Sequence, residues 1–129
     1  MTPELLTTAD VIAIHAQQRE VFGGAAGVRD RALLESAVAQ PRMTFEGSFI
    51  YPDIFAMAAA YLFHVVRNHA FVDGNKRGGL LTALVFLEIN GVSIATGSDA
   101  LYRLTMDAAE GCADKEQITA TLRRLARES

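Results

Sequence analysis

His69-Ala70-Phe71-Val72-Asp73-Gly74-Asn75-Lys76-Arg77 gathers an imidazole, a carboxylate, a carboxamide and two cations around one glycine. Apolar residues at helical spacing flank it on both sides. Ile54, Ala58, Tyr61, Leu62 and Val65 precede it, and the apolar run from Leu80 to Ile89 follows. The spacing predicts a short polar connection between two helices, with the rest of the chain as its scaffold.

The second of those helices opens at Asn75, Lys76 and Arg77. The first amides of a helix have no partner within it and lie at the positive end of its dipole. An anion is favoured there, and Gly74 has no side chain to keep one from the backbone. Arg77 can grip two phosphate oxygens at once, while Lys76 acts as a point charge. Both cations stand at the end where the dipole disfavours them, a local conflict that an arriving phosphate would resolve. Asp73 would repel a bare phosphate, but magnesium takes carboxylate and phosphate oxygens together and would bridge the two; the same residue could instead cap the helix. His69 carries an imidazole, the side chain best suited by type to proton removal from an attacking hydroxyl at neutral pH.

These residues resemble the signature of the Fic/Doc family, His-x-Phe-x-(Asp/Glu)-(Gly/Ala)-Asn-(Gly/Lys)-Arg, at every specified position. Asp30 to Ala37, Pro41 and Gly91 are also similar to the Doc branch. The resemblance implies an all-α Fic/Doc bundle of about six helices with a small β-hairpin flap, spanning residues 4–127. It also implies a toxin that moves the γ-phosphate of ATP to a Ser or Thr hydroxyl of a protein, with elongation factor Tu as target and inhibition of translation as effect. Lys76 carries the distinction within the family: branches that transfer AMP have glycine there. On this reading His69 is catalytic, Lys76 and Arg77 act on the transferring phosphate, and Gly74, Asn75, Lys76 and Arg77 bind the nucleotide. Asp73 is the Mg2+ ligand, and ATP is the co-substrate. AMP transfer, or an inactive binding module on the same fold, are the alternatives. Self-inhibited relatives carry Ser/Thr-x-x-x-Glu-(Gly/Asn). Here Glu46-Gly47 and Glu110-Gly111 follow Arg42 and Met106 at that distance, so control by a separate antitoxin is expected.

Working outward, Thr7 or Thr8 is expected to cap a first helix with Val11, Ile12, His15 and Val21 inward, ended by Gly23-Gly24. Asp30 caps a second carrying Leu33, Leu34, Ala37 and Val38, closed by Pro41. Residues 42–51 read as a hairpin turning at Glu46-Gly47-Ser48. By the resemblance, Phe49, Ile50 and Tyr51 of this flap hold an extended target segment as an added strand; a hydrophobic flap could instead simply cover the core. Pro52-Asp53 starts the third helix, which ends near Arg67, a residue placed either for phosphate or simply for a helix C-terminus. The helix after the motif lacks a continuous polar face and is expected at the centre of the bundle. Val92 to Ala95 is β-prone, Ser98 or Asp99 caps a fifth helix, and Asp114 with Gln117 boxes the start of the last, whose Ile118, Leu122 and Leu125 face inward. Phe71, His64 and Cys112 read as structural, with the cysteine packed in the bundle.

The 129 residues are half hydrophobic, with a net charge of −3 and one cysteine. That length suffices for one core without staples. The mild acidity gives no general attraction for nucleic acid or anionic membrane, leaving Arg123, Arg124 and Arg127 as a solvated face. A lone cysteine, no leader and no membrane-spanning run point to a cytoplasmic protein.

Overall fold

In the computed structural model, which describes residues 2–129, side-chain caps set where most helices begin. Thr7 and Asp10 form a reciprocal box at the start of α1 (Thr8–Phe22). Asp30 accepts from the Leu33 amide at the start of α2 (Arg31–Ala39), and Asp53 from the Ala56 amide at the start of α3 (Ile54–Asn68). Asp114 and Gln117 box α6 (Lys115–Glu128) as expected. Each such cap satisfies an amide that would otherwise lack a partner.

Two helices begin differently. Gly74 and Gly97, both with left-handed backbones, precede α4 (Asn75–Ile89) and α5 (Ser98–Glu110), and neither helix has a side-chain cap. The expectation that Ser98 or Asp99 caps α5 is therefore corrected. Gly97 takes that position because any Cβ there would lie 2.5 Å from Leu125 Cδ2.

After α2 the chain passes through a 3-10 turn, Gln40–Arg42, into β1 (Thr44–Phe45) and β2 (Ser48–Phe49). These strands pair antiparallel, Thr44 opposite Phe49 and Phe45 opposite Ser48. The turn is Glu46-Gly47 alone, with φ of 51° and 84°. Two positive φ values give the mirror-image turn that matches strand twist, so Ser48 joins the strand instead of the turn. Val92 to Ala95 forms no strand.

Among the described residues, six α-helices and this hairpin give the all-α architecture. Its centre is α3 and not α4, as the apolar run had suggested. Met57 through Leu62, Val65 and Val66 are all buried, and α3 packs against α2, α4, α5 and α6. The apolar run of α4 divides between that interface and a half-covered outer face on which Leu81, Leu84 and Val85 are only partly buried. Tyr61 fixes the N-terminal segment to this core by accepting from the Leu6 amide at 2.9 Å.

Other expectations are also corrected. Val21 is 72% exposed, because Val11, His15 and Gln18 define the inward face of α1 and Val21 falls well off it. Leu33 is exposed as well, and Cys112, just past the end of α5, is exposed and not packed. Arg123 is less free than its cluster suggested, pairing with Asp53 at 2.7 Å. No helix among the described residues is long and apolar enough to cross a membrane.

His64 is structural, with a specific consequence. Lys115 Nζ donates to His64 Nε2 at 3.0 Å and to the Tyr51 hydroxyl at 2.8 Å, joining α3, α6 and the base of the hairpin. Burial and the Lys115 charge push the imidazole down to about 4. A folded value below the unfolded one means that the unfolded chain binds more protons in between. Stability should therefore fall as pH drops from about 6.5 to about 4. Urea titrations of wild type and His64→Gln across that window check this; the substituted protein is expected to show the shallower decline.

Candidate active site

α3 ends on His69, whose φ of 48° and ψ of 44° place it in the left-handed region. This αL residue turns the chain out of the helix and toward the cleft. Its carbonyl accepts two hydrogen bonds from Arg29, from Nε at 2.9 Å and Nη2 at 2.6 Å. The segment before α2 then runs antiparallel to the loop. Arg29 and Asp30 amides donate to the Ala70 carbonyl, the Val72 amide donates to Gly27, and Val28 bridges Phe71. A non-glycine residue in αL needs such external support.

From behind, α1 supplies the rest. His15 is 3% exposed and stacks on Phe71 with centroids 3.8 Å apart. Its Nε2–H donates to the Asp73 carbonyl at 2.6 Å, which fixes that nitrogen as the protonated one. Gln18, 4% exposed, lies beside it. A Cβ at position 74 would stand 2.7 Å from Gln18 Nε2 and 3.3 Å from His15 Nε2, and φ there is +73°. Gly74 is thus required for space and for backbone conformation together.

Asn75 completes the loop. Its Oδ1 accepts from the Phe71 amide at 2.9 Å and its Nδ2 donates to the Phe71 carbonyl at 3.0 Å. The carboxamide therefore braces the turn, leaving its second N–H and its backbone amide for a ligand. The first turn of α4 has no acidic residue and no cap, so the amides of Asn75, Lys76 and Arg77 keep their donor capacity.

The result is a cleft of about 650 Å3. His69, Asp73, Gly74, Asn75, Lys76 and Arg77 line one side of it. Ser98, Tyr102, Thr105 and Met106 of α5 and Leu80 of α4 complete its lining. Most of the polar residues expected at the site therefore meet in one place. Arg67 does not join them: its guanidinium donates to the Ala109 carbonyl at 3.1 Å, near the C-terminus of α5. The flap residues also lie elsewhere. Phe49 and Tyr51 line a separate hollow of about 730 Å3 with Pro52, Ile54 and Met57. The one acid in that hollow, Asp53, is already paired with Arg123.

Asp73 Oδ1 accepts from the Gly74 amide at 2.8 Å, and Oδ2 lies 3.4 Å from the Ala25 amide. No group of three or more His, Cys, Asp or Glu side chains able to hold a metal occurs among the described residues. A single exposed carboxylate suits magnesium, which takes most of its ligands from phosphate and water; it does not suit a protein-caged ion.

Sequence reasoning passed over His15 and Gln18 as site residues, and also Arg29 and the α5 wall. For the α5 wall a signal was available, since 98, 102 and 105 recur at helical spacing on one face. For Arg29 there was none, because its partner lies forty residues away.

Residues 5–87 match the Fic/DOC family. The chain is 50% identical over 78 residues to the "Toxin Doc" of Mycolicibacterium smegmatis, a match covering 60% of each chain. It is 35% identical over 122 residues to the "Protein kinase doc" of Escherichia phage P1, covering 93% of this chain and 94% of that one.

Proposed function

Because the chain belongs to the Fic/DOC family, we propose that it is a Doc-like toxin that moves the γ-phosphate of ATP to a Ser or Thr hydroxyl of another protein. Elongation factor Tu is the proposed target and arrest of translation the effect. A separate antitoxin would hold the toxin in check, in keeping with the toxin name of the mycobacterial relative, and the cytoplasm is the expected setting.

One observation carries the reading. His69, Asp73 and the cations Lys76 and Arg77 share a single cleft at an uncapped helix start. Phosphoryl transfer asks a protein mainly to position the reactants and to stabilise charge on the phosphate oxygens. The amides of residues 75–77 and the two cations would receive those oxygens. His69 would take the proton from the target hydroxyl as it attacks, with ADP leaving. Asp73 would hold magnesium, which supplies further charge neutralisation at the phosphates.

Purified protein, ATP and elongation factor Tu test this directly. Label from the γ-phosphate is expected on the factor, and label from the α-phosphate is not. Transfer of the α label instead would make the enzyme an AMP transferase, and transfer of neither would overturn the proposal.

A further inference from the structure

The last turn of α1 runs past the cleft and meets the loop twice. The Arg77 guanidinium lies over the Phe22 ring, 4.3 Å from its centroid, although Phe22 is 61% exposed and contributes little to the core. Two residues on, Gly24 stands so close to Asp73 that a Cβ would sit 2.9 Å from Oδ2, the oxygen that also faces the Ala25 amide. One short segment thus receives the cation on a ring and the anion on glycine and backbone.

Asp73 and Arg77 stand on either side of the left-handed Gly74 turn that starts α4 and line the same cleft, close enough in sequence for opposite charges to meet. Here they form no ion pair among the described residues. Had they paired, each would have been spent as a ligand, the carboxylate for a metal and the guanidinium for phosphate. An exposed cation–π contact is at least as strong as an exposed ion pair, and guanidinium, being weakly hydrated, stacks readily. The ring can therefore hold the arginine against the carboxylate, and removing the ring can reverse the choice.

We infer that Phe22 is a positioning residue that keeps Arg77 away from Asp73, so that both stay available to nucleotide. This rests on the phosphotransfer reading. Gly23, with φ of 83°, ends α1 directly after Phe22 and so fixes where the ring projects. Tyrosine or tryptophan offers the same face; alanine and leucine do not.

ATP without divalent cation is the probe, titrated calorimetrically into the full chain. Phe22→Ala is expected to weaken binding about fivefold, a factor in line with an exposed cation–π contact, and Phe22→Trp to restore it. In an Asp73→Asn background, where no carboxylate can capture the arginine, Phe22→Ala should have a much smaller effect. The unfolding midpoint should move little, because the ring is mostly exposed; a merely structural role would lower it and leave ATP affinity unchanged. Wild-type affinity in Phe22→Ala, or an equal penalty in the Asp73→Asn background, overturns the inference. The Arg77 Nε–H proton resonance, read without nucleotide, separates this from the function itself. In wild type the ring should shift it, and Phe22→Ala should release it. If wild type bound no ATP, the proposed function would fall while this signal still decided the contact.

Discussion

His69→Ala is expected to slow phosphoryl transfer by about 10²- to 10⁴-fold, the usual contribution of a positioned general base. The substitution removes the one group in the cleft suited to accept a proton near neutral pH. It also replaces histidine, which tolerates the left-handed region it occupies here, with alanine, which tolerates it less well. His69→Asn separates the two effects, because asparagine tolerates that backbone and supplies no base. Rates for both variants under saturating ATP, with circular dichroism to verify folding, give the result. A rate in His69→Asn within a few-fold of wild type would show that the loop geometry, and not the imidazole, matters at this position.

Gly79→Ala is expected to destabilise the protein by about 1–3 kcal/mol, the range for overpacking a filled core. An added Cβ would lie 2.6 Å from Val66 Cγ2, 3.2 Å from the Leu62 carbonyl and 3.3 Å from the Val66 amide. Two of those three neighbours are backbone atoms of α3 and cannot turn away. Alanine is the better helix former by about 1 kcal/mol, so a net loss means that the clash outweighs that gain. Gly78→Ala is the control, because its nearest neighbour, His15 Cδ2, stands at an ordinary 3.4 Å. Urea midpoints read at constant slope compare the two. Equal midpoints for Gly78→Ala and Gly79→Ala would mean that α3 and α4 do not press together there. Because the loop carrying His69 and Asp73 hangs between those helices, prising them apart should also slow catalysis, which is sensitive to displacements of about 1 Å.

Much of this architecture was legible in the sequence because it is written in local signals. Asp30 and Asp114 each cap the helix that they were expected to cap, and the third helix starts at Pro52-Asp53 as expected, with Asp53 as its cap. The polar motif residues His69, Asp73, Asn75, Lys76 and Arg77 share a cleft because a turn of that length leaves them little choice. What escaped depends on distant partners. Gly97 starts α5 for the sake of Leu125, on another helix. Arg67 is drawn to the end of α5 and not to the cleft. Gln18 is buried where an apolar residue would suit the pattern, because its work is behind Gly74, and its Oε1 has no protein partner. The placement of α4 at the centre failed for a related reason: hydrophobicity tells how much of a helix is apolar, not how many neighbours surround it.

The antiparallel bridge between Val28 and Phe71, with Arg29 on the His69 carbonyl, has an evolutionary corollary. A gene fragment that kept residues 69–77 but lost the first thirty would still satisfy any search for the signature. Its histidine, however, would swing on an untethered hinge. Competence in such a lineage is better judged by whether an arginine clamp and a stacked imidazole survive upstream than by the motif's own letters.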